Sequence, residues 1–184
     1  MYKYLLFSFC LFFAAVPARS QEVLLSAVEM FSIEPGRILR HEAKLIGSIG
    51  YFWIDVVKVS DIRGDTSRKA IRVWARNNEP NEQWALNFDP VEAYGVLNLL
   101  EHCQRTYPQT GKGAQTIVYT TSNSLHASIT LPERDKASWG VIHFRQFYAY
   151  SNVEVPRRIT SAPYRDLDKL VELWKQALET LKEL

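Results

Sequence analysis

Few side chains in this 184-residue chain combine a type and a spacing that could do chemistry. Cys103 follows His102, the residue types of a thiolate nucleophile and its base. Both lie in a stretch of helical periodicity, where neighbours point about 100° apart. Cys103 falls in the apolar stripe of that stretch, which is the place of a buried structural thiol. His41 and Glu42 are adjacent in a strand-like segment and so face opposite ways. No second close His or Cys supplies metal spacing. His126 and His143 lie on different strand candidates and can meet across a sheet. Asp55, Asp61 and Asp65 cluster near a turn but lack the ligand spacing of a calcium loop. There is no glycine-rich phosphate loop and no Gly-x-Ser-x-Gly. No catalytic, cofactor or metal residue is therefore assigned. An enzyme would need a site assembled from distant residues, marked by a cleft with convergent, perturbed titratable groups.

Two stripes of aromatic and basic side chains carry more. Arg72, Trp74 and Arg76 share one strand face. Arg145, Phe147, Tyr148, Tyr150, Arg157 and Arg158 are close in sequence. Such groups hold a sheet together as a cross-strand ladder. They also concentrate where a protein or glycan partner docks. Aromatic rings can stack nucleobases while arginine meets phosphate. These nine residues form the candidate binding surface, with an unknown protein or glycan as the expected partner.

Charge argues against a nucleic-acid partner at this stage. The chain has 22 basic and 20 acidic side chains. Lys3, the apolar run Leu5 to Val16, and Ala18-Arg19-Ser20 before Gln21 have the layout of an export signal over residues 1–20. Its removal takes Lys3 and Arg19 and no acid, so the remaining chain balances, without the basic excess of a strong polyanion binder. Cys10 leaves with the signal, so Cys103 has no disulfide partner and the fold must rely on a core. The expected location is periplasmic or extracellular. No later stretch reads as a membrane span.

The elements that must position these residues follow from periodicity. Residues 21–36 are a partly helical lead-in ending at Pro35-Gly36. Ile38 to Ile49 is a strand candidate. In Tyr51 to Ile62, Phe52, Ile54 and Val56 alternate with Trp53, Asp55 and Val57, as in a central strand. Arg63-Gly64-Asp65 is a turn. Ala70 to Ala75 alternates again, Asn77 to Asn81 is a loop, and Trp84, Leu86 and Phe88 alternate with Gln83, Ala85 and Asn87. Asp89, Pro90 and Glu92 start a helix with a capping-box arrangement. Val96, Leu99, Leu100, Cys103 and Tyr107 form its stripe, and Pro108 ends it. Gln115 to Thr121, Leu125 to Leu131 and Trp139 to Tyr150 are strands. Asn152 to Ile159 is a weaker one, interrupted by Pro156. A closing helix from about Tyr164 to Lys182 carries Leu167, Leu170, Val171, Trp174, Leu178 and Leu181 on one face. Trp174 is expected to be buried against strands of the second half.

The fold class is thus α+β, two tandem ββββα units at 37–108 and 114–184, each an antiparallel sheet followed by a packing helix. This order resembles the Whirly and Pur-alpha architecture, and by that analogy single-stranded nucleic-acid binding is an alternative function. The segments Phe31 to Ile49, Val56 to Asp61, Phe88-Asp89-Pro90-Val91-Glu92 and Asp166-Leu167-Asp168-Lys169-Leu170 are similar to exported proteins of Bacteroidetes-type bacteria. That resemblance implies export and carries over no functional residue. The leading expectation is an exported, non-enzymatic binding protein.

Overall fold

The structure, a computed structural model, describes residues 25–76, 83–106, 115–122, 125–131, 140–150 and 153–184. Residues 1–24, which hold the export signal, and the Asn77 to Asn81 loop lie outside this set, as do Tyr107, Pro108 and Trp139. Helix α1 (Ala27–Ile33) precedes strands β1 (Leu39–Ile49), β2 (Phe52–Asp61), β3 (Ser67–Arg76) and β4 (Gln83–Phe88), then helix α2 (Pro90–Thr106). Strands β5 (Gln115–Thr120), β6 (Leu125–Leu131), β7 (Val141–Tyr150) and β8 (Val153–Pro163) follow. A 3-10 turn at Tyr164–Asp166 leads into helix α3 (Leu167–Glu183). The strands form two antiparallel sheets, β1-β2-β3-β4 and β5-β6-β7-β8. The tandem ββββα order is therefore present.

Alternation explains the sheets. Phe52, Ile54 and Val56 of β2, Ile71 and Val73 of β3, and Leu86 and Phe88 of β4 are fully or almost fully buried on one face. Ile129 of β6 and Ile142 and Phe144 of β7 do the same for the second sheet. One core joins both inner faces to the stripes of α2 and α3. Gly50, at φ +53, makes the tight turn between β1 and β2 in a backbone region that disfavours other residues.

The lead-in is partly helical as expected, and its helix is capped. Ser26 Oγ accepts from Glu29 N at 3.2 Å, and Ser26 N donates to Glu29 Oε2 at 2.9 Å, a full capping box. Other expectations need correcting. At α2 only half of the expected box forms. Asp89 N donates to Glu92 Oε2 at 3.1 Å, but the Asp89 carboxylate accepts from Ala27 N at 3.0 Å instead and ties down α1. Strand β8 runs through Pro156 and past the expected end at Ile159 to Pro163. Its register slips opposite Gln146 and Phe147, which leaves Arg157 as the extra residue of a bulge beside Pro156. An edge-strand bulge is where a proline without an N–H is tolerated. Gly95, out of place in a helix by propensity, answers to packing: a Cβ there would lie 2.1 Å from the Tyr119 ring.

The closing helix is amphipathic as expected and its Trp174 meets Phe144 of the second sheet, but most of the helix has other neighbours. It packs across β1, β2 and β3 of the first sheet and along α2, which is wedged between both sheets. Lys58 and Lys69 on the inner side of the first sheet donate to the carbonyls of Leu184 and Leu181, at 2.6 and 3.4 Å. These ammonium groups meet the negative end of the helix dipole, which fixes α3 on that sheet.

Candidate functional site

The outer face of the first sheet is built from rows of cross-strand neighbours. The hairpin register puts Trp53 opposite Trp74 and Asp55 opposite Arg72. Extended to the flanking strands, one row reads Ser48, Trp53, Trp74, Ala85 and the next Leu45, Asp55, Arg72, Asn87. The two indoles stack with centroids 4.6 Å apart and planes 18° from parallel. Both are half-buried. Trp74 Nε1 is shielded from solvent and has no hydrogen-bond partner among the described residues. The small Ser48 and Ala85 are the direct cross-strand neighbours of the pair on the adjoining strands.

Beside the stack, Arg72 grips Asp55 with two bonds: Nε to Oδ1 at 3.2 Å, and a terminal nitrogen to Oδ2. Asp55 is 4% exposed. Such a bidentate pair is rigid and directional. Further along the same face, α1 covers Val57, Val59 and Ala70 with Val28 and Phe31, a small second core. Arg37 lies over the Phe31 ring at 4.2 Å. Asn87 donates to Glu29 Oε1 at 3.2 Å and links the helix to β4.

The expected surface is therefore divided. Arg72 and Trp74 share the outer face of the first sheet. Arg145 lies on the outer face of the second, opposite His126. Arg76, Phe147, Tyr148, Tyr150, Arg157 and Arg158 are placed by backbone register only, on β3, β7 and β8; their side chains lie outside the described residues. Trp53, Asp55 and Asn87 were missed. Their signal was present, because the Arg63-Gly64 turn, taken as a hairpin midpoint, makes Trp53 equidistant with Trp74 and Asp55 with Arg72.

The remaining chemical candidates do not assemble. Cys103 is fully buried, and burial pushes its thiol up to about 11, so it is protonated at neutral pH and not a nucleophile. His143 stands between Ser128 and Ser161 across the second sheet. Burial first, and then the Arg145 charge, hold its pKa below the ordinary histidine value. Its Nδ1 has no partner among the described residues. Asp55 is committed to Arg72 and Asp61 to the Arg63 backbone. Among the described residues no group of three metal-ligating side chains converges. A cavity of about 680 Å³ between the β1–β2 turn and the ends of β7 and β8 is lined by Tyr51, Ser161 and Arg165 among others.

Two carboxyls do sit close together at the joint between α1 and α2. Burial raises the pKa of Asp89, and Glu29 raises it further; burial likewise raises Glu92, with Asp89 adding to it. Glu92 also accepts from Ser122 Oγ at 3.0 Å, so this pair ties the first half to the second. A carboxyl with a raised folded pKa binds its proton more tightly in the native state. Its effect on stability is favourable below the unfolded pKa, about 4, and is lost as pH rises through the folded value. Relative to an Asp89→Asn/Glu92→Gln protein, the wild type should gain stability as pH falls from 7 towards that range. Urea midpoints of both proteins across pH check this; a constant gap would refute it.

No family model and no curated protein matches the chain, so the resemblance to exported Bacteroidetes-type proteins has no support there. Among solved structures, the plant transcriptional regulator PBF-2 aligns with 82% of this chain and 85% of its own, at 6% identity and a TM-score of 0.33. WHY1 from Arabidopsis thaliana aligns over 80% of this chain and 93% of its own, at 8% identity and a TM-score of 0.32. No helix among the described residues is long and apolar enough to cross a membrane. The expectation that nucleic acid is an unlikely partner is corrected: it rested on the neutrality of the whole chain, which says nothing about one face that carries paired indoles beside an arginine.

Proposed function

We propose that the protein binds single-stranded nucleic acid on the outer face of its first sheet, with unpaired bases continuing the Trp53–Trp74 stack. The observation that carries this is the half-buried indole pair flanked by Ser48 and Ala85. Any base offers a ring face to such a platform, so recognition is by stacking and tolerant of sequence. Arg72 is neutralised by Asp55 and contributes orientation more than net charge. Binding should then depend only shallowly on salt, because few phosphates are neutralised.

Fluorescence anisotropy with labelled oligonucleotides tests the reading. Trp74→Ala should weaken binding by roughly 5- to 150-fold, the ~1–3 kcal/mol typical of one stacked base. Trp74→Phe should lose much less. Unchanged denaturation midpoints in both variants would exclude a general loss of fold. Equal affinity of Trp74→Ala and wild type would sink the proposal.

Export belongs to the same proposal. The apolar run from Leu5 to Val16 and the Ala18-x-Ser20 exit support a mature chain starting at Gln21. Intact mass of the exported protein should match that start, and retention of the apolar run would count against it.

A further inference from the structure

Strand β1 is an open edge of the first sheet. Ile62 N donates to Ile38 O at 2.9 Å, and the β1–β2 register, extended by one residue, sets these two opposite each other. Backbone groups alternate along an antiparallel strand, so the even-numbered residues from Ile38 to Lys44 bond to β2. The odd-numbered ones, Leu39, His41, Ala43 and Leu45, point N–H and C=O away from the sheet. No described strand pairs with that side. Every residue from Arg40 to Leu45 is exposed, Leu45 to 61%.

Sheet edges are ordinarily blunted, because a free one templates pairing with another chain. The other three edges are protected. Strand β4 lies against β7 and β8, β8 carries Pro156 and a bulge, and β5 is six residues long and packs on α2. Between Leu39 and Leu45, β1 has no proline, and its register stays regular up to Leu45. Its lysine, Lys44, makes a 3.9 Å contact with Glu183, both of them exposed, and such a pair holds little.

A second β1 running antiparallel fits this edge. With Ala43 opposite Ala43 of the second copy, those two exchange two backbone bonds, and His41 and Leu45 exchange two more on each side of the twofold axis. The same register sets Glu42 opposite Lys44 twice, in the non-hydrogen-bonded positions where side chains come closest. Centring on Glu42 instead would set Glu42 against Glu42 and Arg40 against Lys44, and like charges directly opposite are destabilising. Centring on His41 would pair Arg40 with Glu42 but leave Leu45 uncovered. We propose that the protein forms a twofold dimer through β1–β1 pairing centred on Ala43. The contact is small, so the dimer belongs to the weak, transient class. It does not involve the indole pair and stands whether or not the strand-binding proposal holds.

Sedimentation velocity over a concentration series tests this. Wild type should pass from monomer to dimer as concentration rises. Ala43→Pro removes an N–H that points away from β2, a substitution an edge strand tolerates. It should weaken dimerisation roughly 5- to 150-fold, the worth of the two donors lost at the axis, with an unchanged urea midpoint. Lys44→Glu should weaken it as well, and Glu42→Lys/Lys44→Glu should restore it, because the reversed pairs are complementary again. If Ala43→Pro does not fold, the charge series decides alone. A wild type that stays monomeric at every concentration would overturn the proposal. So would a dimer indifferent to Ala43→Pro, or a doubly reversed variant that dimerises no better than Lys44→Glu.

Discussion

Replacing Trp174 with alanine should destabilise the protein by ~3–5 kcal/mol, the range for large aromatics removed from a core. Trp174 is fully buried at the centre of α3. Its ring stacks on Phe144 of the second sheet, with centroids 5.6 Å apart and planes 6° from parallel. It meets Phe88 of the first sheet edge-on at the same distance. Phe144 in turn contacts Phe52 and Phe88. One side chain therefore links both sheets, and each such ring pair adds about 0.5–1.5 kcal/mol beyond area burial. The indole N–H donates to Ala93 O of α2 at 2.8 Å, which adds the second helix to the same joint. Loss of this much is a large share of the ~5–15 kcal/mol that holds an ordinary domain. Trp174→Phe separates the contributions. It retains an aromatic ring but loses the bond to Ala93, so it should cost much less than alanine. Urea denaturation of the two variants beside wild type is the measurement. A midpoint for Trp174→Ala equal to wild type would refute the joint.

Much of this architecture was legible before the structure. The stripe from Leu167 to Leu181 identifies α3, and period-two alternation identifies β2, β3, β4 and β6, because burial of one face imposes those periods. What periodicity does not carry is the partner of each face. Nothing in the spacing of Trp174 tells that its helix crosses the first sheet; that depends on the inner face from Phe52 to Val73 and on Lys58 and Lys69 at its rim. The candidate site shows the same division. Trp74 and Arg72 were found from strand parity alone. Trp53 and Asp55 needed the register of the hairpin as well, and register fixes neighbours one residue at a time. Ser26-x-x-Glu29 has the spacing of a capping box, but the helix it starts is short, and it is held by the apolar patch of Val57, Val59 and Ala70 together with the bonds to Asp89 and Asn87, none of which the local sequence shows.

The second large effect concerns the Asp55–Arg72 pair. Arg72→Ala should cost about 2–4 kcal/mol, towards the lower part of the range for a broken buried ion pair, because water reaches the arginine side. The asymmetry of exposure is the reason: the Asp55 side chain is 6% exposed and that of Arg72 33%. Without the guanidinium, the carboxylate is left in a sheltered row between Leu45 and an alanine, with both bonds gone. Removing the charge together with its partner should restore much of the loss. Asp55→Val/Arg72→Val places two β-branched residues on a sheet face, where apolar replacement of a buried pair is often neutral or favourable. The double variant should thus be more stable than Arg72→Ala, and a double-mutant cycle with Asp55→Ala should give a coupling well above that of an exposed pair. Purely additive costs would show that the pair holds nothing. The same variants separate stability from recognition. The valine pair keeps the sheet but loses the rigid ion pair beside the indole row. On the stacking proposal it should therefore fold normally and still bind single-stranded oligonucleotides through Trp53 and Trp74. Anisotropy on that protein measures how far strand placement depends on the ion pair rather than on the fold it sits in.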